Sequence, residues 1–121
     1  MPELRLPERL TRLRPAREAR SCPPHRAWVR RHRCSVPGCE RLPIECAHVR
    51  TGTDGGQGLK PSDRYCLSLC RHHHGEQHRI GERAFEARYS LELLQLAELF
   101  AVRSPHRHKL LTTTPAKVRG G

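Results

Sequence analysis

The apolar residues of this chain fall into two short runs, followed by a helical pattern. Residues 44–49 and 65–69 are half-apolar runs of strand length, and each predicts a β-strand. Residues 71–80, 82–88 and 91–102 contain no proline and have the length of helices. Two strands followed by helices predict a small α+β domain.

The last predicted helix carries an apolar stripe at spacings of three and four residues: Leu93, Leu96, Ala97 and Phe100. We expect this stripe to cover the core, with Ser90 as the N-cap of its helix. Ahead of the strands, residues 25–33 contain no helix breaker. They predict a short helix that docks Trp28 on the core.

The segments around this pattern have a different composition. Residues 1–24 carry five prolines among arginine, leucine and glutamate, which excludes a long helix and predicts a flexible basic arm. Residues 25–103 form the predicted domain, with a glycine-rich loop at 50–61 between its strands. Residues 104–121 predict a flexible basic tail.

The charge of the chain points to a polyanionic partner. Twenty-three Lys and Arg residues against 12 Asp and Glu give a net charge of +11 and a pI near 10.4. The first 33 residues hold ten arginines and three glutamates, so +4 remains on the rest of the chain. Nucleic acid is the partner that this charge favours, and a merely solvated basic face is the alternative.

Six cysteines could serve as disulfides or as metal ligands. The N-terminus has no apolar run of signal-peptide type, and no stretch approaches the roughly 18 apolar residues of a membrane span. We therefore expect a reducing cytoplasmic location, no membrane partner, and metal ligation rather than disulfides.

Residues 70–79 concentrate the candidate metal ligands. Cys70 and His73 form a pair with a two-residue gap, and Cys34 and Cys39 flank a Pro-Gly turn. Three thiolates and one imidazole form a closed tetrahedral set, which is typical of structural zinc. Cys46 and Cys66 lie in the predicted strands, where we interpret them as buried small apolar residues.

Two further histidines of this segment predict a second metal. His74 and His78 are four residues apart, so on a helix both imidazoles can point at one ion. His72 is interpreted as a surface residue.

The order of these features resembles the ββα-metal core of HNH endonucleases. The resemblance covers about residues 25–103, and within it residues 44–52, 58–63 and 69–74 are similar to phage-associated HNH-like proteins of unknown function. It implies a small zinc-stabilised ββα-metal domain with flanking helices. The implied activity is metal-dependent endonuclease cleavage of DNA, without a small-molecule cofactor.

The resemblance also implies roles for single residues. His48 matches the general base that takes a proton from the attacking water. Asp63 lies near the place of the family's middle Asn, which orients that base. His74 and His78 match the ligands of one divalent ion, which could be Mg, Mn, Ni or Zn. The remaining matches are the structural zinc ligands Cys34, Cys39, Cys70 and His73, and the expected phosphate contacts are Arg50, Lys60, Arg71 and Arg79.

The chain departs from the family pattern at two positions. Ala47 stands where many members have an acidic residue or a histidine, so the catalytic ion loses one ligand, which Asp54, Asp63 or water would replace. Asp63 stands in place of Asn. Ala47 and the charge keep open a non-catalytic zinc-dependent nucleic-acid-binding module as the alternative. A disulfide-stapled secreted nuclease or toxin is a third hypothesis.

Overall fold

The computed structural model describes residues 20–55 and 60–110. Two strands lie between a short N-terminal helix and a set of C-terminal helices. The elements in chain order are α1 (Pro23–Val29), β1 (Ile44–His48), a 3₁₀ turn (Asp63–Tyr65), β2 (Cys66–Cys70), α2 (Arg71–Ile80), α3 (Glu82–Tyr89), α4 (Leu93–Arg103) and α5 (Arg107–Leu110).

The strands β1 and β2 form an antiparallel pair whose register places Ile44 opposite Cys70 and His48 opposite Cys66. Helix α2 follows β2 directly, because Cys70 is both the last residue of β2 and the N-cap of α2. Two antiparallel strands joined to a helix in this way confirm the predicted α+β architecture with a ββα unit.

The core lies where β2 meets α3 and α4. Every residue of β2 is buried, and Leu67 and Leu69 pack in one cluster with Phe85 of α3 and Leu93 of α4. Burying a side chain of this size contributes roughly 1.5–3 kcal/mol. The predicted stripe on α4 is confirmed, since its members either are buried in this cluster or pack against it.

Two helices differ in their bounds from the sequence prediction. Helix α1 spans Pro23–Val29 rather than residues 25–33. It begins earlier because proline is tolerated in the first turn, where the missing N–H would have no helical partner, and it ends with Arg30 as its C-cap. The prediction that Ser90 caps α4 is wrong. Ser90 has a left-handed conformation (φ 55°) and ends α3, while α4 begins at Leu93, whose amide donates to the Glu86 carboxylate at 2.8 Å.

The first and the last described residues, Arg20 and Leu110, both pack on the domain. Arg20 donates to the carboxylate of Asp54 at 3.0 Å and to the carbonyl of Lys60 at 2.7 Å. At the other end, Leu110 of α5 is buried in a cluster with Cys22 and Ala101. The predicted flexibility of the arm and tail otherwise concerns residues 1–19 and 111–121, which lie outside the described residues. None of the described helices has the length and apolar character that crossing a bilayer requires.

Candidate functional site

The four predicted zinc ligands come together in the structure. The ligand atoms of Cys34, Cys39, Cys70 and His73 all lie within 4.8 Å of one another. Nδ1 of His73 is 3.4 Å from Sγ of Cys34 and 3.3 Å from Sγ of Cys70, and the sulfurs of Cys39 and Cys70 are 3.9 Å apart. A tetrahedral zinc site requires S···S and S···N separations of about 3.8 and 3.5 Å. The residues therefore fit a structural zinc ion.

Local structure explains how these ligands converge. Gly38 has φ +78° and allows the chain to turn between Cys34 and Cys39. Sγ of Cys70 accepts a hydrogen bond from the His73 amide at 3.4 Å, so one thiol both caps α2 and faces the ligand set. Burial raises the pKa of the Cys34 thiol to about 11. A thiophilic cation is what favours the thiolate in such a buried position. All six cysteines are free thiols.

The predicted base and its orienting residue are in direct contact. Nε2 of His48, at the end of β1, lies 2.8 Å from Oδ1 of Asp63, the first residue of the 3₁₀ turn. The other oxygen, Oδ2, accepts from the backbone amide of Cys22 at 2.6 Å and from Nη1 of Arg26. Burial alone would raise the pKa of Asp63, but the hydrogen bonds from His48, Cys22 and Arg26 outweigh it and lower the pKa to about 2.

An ionised Asp63 determines the tautomer of His48. Because a carboxylate only accepts, Nε2 of a neutral His48 carries the proton and Nδ1 is left as an acceptor. Within the described ranges, no hydrogen bond falls on Nδ1. The His48 side chain is 13% exposed. Asp63 therefore holds the ring at Nε2, while Nδ1 remains accessible. These are the properties of a general base.

His74 and His78 also converge, one turn apart on α2. Their Nε2 atoms are 3.3 Å apart, which suits two ligands of one ion bound at about 2.0–2.1 Å. Nδ1 of His74 lies 2.8 Å from Oε1 of Glu45. The His74 hydrogen bond, followed by that of Arg71, lowers the pKa of Glu45, so a carboxylate accepts from Nδ1 and leaves Nε2 for the ion.

Glu45 is a functional candidate that sequence reasoning missed. It precedes His48 by three residues on β1 and pairs in register with Leu69, one residue before the joint between β2 and α2. The signal was an acidic residue on the same predicted strand as the candidate base His48. Its partner could be named only once the register was known.

The structure places Ala47 and its proposed substitutes away from the histidine pair. Ala47 is completely buried, Asp54 pairs with Arg20, and Asp63 pairs with His48 and Arg26. Among the described residues, no third His, Cys, Asp or Glu completes a cluster with His74 and His78. An ion held by His74 and His78 would therefore take its remaining ligands from outside these residues.

One cleft of about 990 Å³ joins the base to the histidine pair. His48, His74 and His78 all line it, together with a rim of cations: Arg26, Arg30, Arg50, Lys60 and Arg83. Two of the predicted phosphate contacts, Arg50 and Lys60, are therefore at the cleft. The other two do not line the cleft. Arg71 pairs with Glu45, and Arg79 is exposed on α2.

Two neutral residues of the cleft also differ from expectation. Cys66 is buried as predicted, but Cys46 is only half-buried and lines the cleft. Gln77, which sequence reasoning did not single out, is buried beside the histidine pair. Its amide nitrogen donates to the His48 carbonyl at 3.4 Å and connects α2 to the end of β1.

A two-stranded sheet continues into a helix, and His48 of the strand lines one cleft with His74 and His78 of the helix. This is the arrangement of an HNH-type α+β domain. A family model described as "Putative HNHc nuclease" matches residues 22–101, about two thirds of the chain. The chain belongs to this HNH nuclease family. No curated protein and no solved structure matches it.

Proposed function

We propose that the protein is a metal-dependent endonuclease that nicks or cuts DNA by hydrolysing phosphodiester bonds. One observation carries the proposal: the acceptor-ready imidazole of His48 and the paired imidazoles of His74 and His78 line the same cleft. A phosphodiester in that cleft meets a base on one side and a cation site on the other, which is the arrangement that hydrolysis requires.

In this proposal His48 performs the proton transfer. Nδ1 takes a proton from the attacking water, while Asp63 accepts from Nε2 and stabilises the imidazolium that forms. A divalent ion held by His74 and His78 would stabilise charge on the phosphate and on the leaving 3′ oxygen. Glu45 keeps His74 in the orientation that holds this ion.

The cationic rim supplies affinity for the nucleic acid backbone. Arg50 and Lys60 border the cleft from the loop between the strands, where they would contact phosphates that flank the bond to be cut. A net charge of +11 supports the same class of partner. Contacts of this kind position the substrate and carry no sequence information by themselves.

The zinc site has a separate, structural role. Cys34 and Cys39 belong to the turn before β1, whereas Cys70 and His73 lie at the joint between β2 and α2. One ion bound by all four fixes that turn to the joint, close to the cleft. A reducing compartment such as the cytoplasm is part of the proposal, because these thiols must remain reduced to bind the ion.

The proposal is tested with purified, zinc-loaded protein and supercoiled plasmid DNA in the presence of magnesium, manganese or nickel. Nicked or linear product is expected, and His48→Ala should reduce the rate by roughly 10²–10⁴-fold while bound zinc is unchanged. His72→Ala is the matched control, since His72 is exposed on the same helix and does not line the cleft. Equal cleavage by wild type and His48→Ala would contradict the assigned role of His48.

A second candidate function is a non-catalytic zinc-dependent nucleic-acid-binding module. It is favoured by the histidine pair, which has no third protein ligand among the described residues. This function predicts a single zinc per chain, no cleavage with any of the divalent ions, and DNA affinity that falls steeply with salt.

A further inference from the structure

Arg26 is a cleft residue whose contacts set it apart from the other cations of the rim. It projects from α1, outside the ββα unit, and its Nη1 donates to Oδ2 of Asp63. A second, longer contact of Nη1 reaches Oγ of Ser21 at 3.4 Å. Within the described ranges, Nε and Nη2 of Arg26 have no hydrogen-bond partner. The side chain is 32% exposed and lines the cleft.

The carboxylate of Asp63 is shared between Arg26 and His48. Oδ1 accepts from His48, and Oδ2 accepts from Arg26. Asp63 itself is buried and is further held by the Cys22 amide, so it forms a fixed point between the two cationic or basic groups. His48 and Arg26 are therefore neighbours whose relative position is set by one side chain.

We propose that Arg26 anchors the scissile phosphate, and that Asp63 aims its free guanidinium edge at the phosphate whose attacking water His48 deprotonates. The inference rests on the proposed nuclease function. A guanidinium suits this role because its planar fork can bind a carboxylate with one nitrogen and a phosphate oxygen with the others. Asp63 thereby orients the base and the anchor together, and α1 becomes part of the active site.

Arg30 provides an internal comparison. It is the C-cap of α1, four residues after Arg26, and lines the same cleft, but within the described residues its side chain has no bond to Asp63 or to any other group. An arginine of this kind contributes charge to the rim without a fixed orientation. The two arginines should therefore respond differently to lysine, which keeps the charge but lacks the fork.

The first experiment measures nicking kinetics with manganese for four variants, after zinc content and thermal unfolding show that each is folded. Arg26→Lys should lower kcat at saturating DNA by roughly tenfold and Arg26→Gln by roughly 10²-fold, with KM changed less than either. Arg30→Gln should mainly raise KM, and Arg30→Lys should raise it less. If the Lys and Gln variants at the two positions behave alike, Arg26 is only one more rim cation and the proposal is overturned.

The second experiment does not depend on cleavage. Arginine Nε–Hε signals of the zinc-loaded protein are followed by NMR during titration with inorganic phosphate at constant ionic strength, without added divalent ion. The Arg26 signal should shift saturably and more than that of Arg30, and Asp63→Asn should remove this preference. If wild type cleaves no nucleic acid, the nuclease function fails, and this titration alone decides the inference. Equal shifts for Arg26 and Arg30 would then overturn it.

Discussion

His48 and Asp63 are 15 residues apart in the chain, yet Nε2 of one lies 2.8 Å from Oδ1 of the other. The strand pair explains this proximity. His48 ends β1 opposite the first residue of β2, and the amide of Val49 donates to the carbonyl of Tyr65 at 2.8 Å, which extends the pairing to the edge of the 3₁₀ turn. The pairing of the strands therefore brings the base and the carboxylate together at one end of the sheet.

Replacing Asp63 by Asn should affect catalysis and stability together. The variant loses the charge that stabilises the imidazolium of His48 and leaves Arg26 without its carboxylate partner. We expect kcat in plasmid nicking to fall by at least about tenfold, and the free energy of unfolding to fall by about 1–3 kcal/mol.

Asp54→Asn is the matched control for this change. Asp54 is also a partly buried carboxylate paired with an arginine, Arg20, but it does not contact His48. Its substitution should lower stability and leave kcat near the wild-type value. If both variants lose kcat to the same extent, the loss follows from stability and not from the pairing with His48.

The dependence of the unfolding free energy on pH below neutrality should also reveal the lowered pKa of Asp63. Its pKa is lowered from 3.8 to about 2 in the folded protein. A group with a depressed pKa stabilises the fold above its unfolded pKa, and this contribution is lost as pH falls from about 4 through the folded pKa of about 2. The difference in unfolding free energy between wild type and Asp63→Asn should therefore shrink by up to about 2 kcal/mol over this range.

Urea unfolding of the two proteins between pH 7 and pH 2 measures this difference. Zinc held by the four ligands should be released from both proteins when acid protonates the thiolates and His73, so its loss should cancel in the comparison. A difference that stays constant through this range would show that the hydrogen bonds to Asp63 do not lower the pKa of its carboxyl group.

The sequence predicted the parts of the molecule that depend on local pattern. The strand runs, the stripe of α4 and the spacing of Cys70 and His73 each follow from the period of one element, and the structure has all three. The order of these elements resembles that of HNH endonucleases, and the resemblance implied related roles for His48, His74 and His78. In the structure the three histidines line one cleft.

The parts that sequence reasoning missed depend on contacts between distant segments. Glu45 meets His74 across 29 residues, and Arg26 meets Asp63 across 37. Neither contact has a periodic signature, because each is set by strand register and by how α1 packs on the strands. The prolines of residues 20–24 likewise predicted that this segment belongs to the flexible arm. In the structure the amide of Cys22 donates a hydrogen bond to the Asp63 carboxylate.

Glu45→Ala should weaken the binding of the proposed catalytic ion without affecting the binding of zinc. Loss of the carboxylate removes the acceptor at Nδ1 of His74, so the ring is no longer fixed with Nε2 towards His78. The affinity for manganese should fall by roughly 10–100-fold. Titration of manganese into the zinc-loaded protein, followed by electron paramagnetic resonance of the free ion, measures it.

Glu40→Ala serves as the control for Glu45, because Glu40 is 77% exposed and pairs only loosely with Arg33 at 3.9 Å. It should leave manganese affinity unchanged. Equal manganese affinity in wild type and Glu45→Ala would mean that Glu45 does not orient His74.

Removal of zinc should destabilise the whole domain, because its four ligands join the turn before β1 to the start of α2. The protein should contain one tightly bound zinc per chain, and Cys39→Ser should lose it and unfold at least about 10 °C lower, given the large free energy of such sites. Cys46→Ser is the control, since Cys46 lies on β1 outside the ligand set and should retain both zinc and stability. Elemental analysis and calorimetric unfolding of the three proteins provide the measurement. A Cys39→Ser protein that lacks zinc but unfolds at the wild-type temperature would show that the core of Leu67, Leu69 and Phe85 supports the fold without the ion.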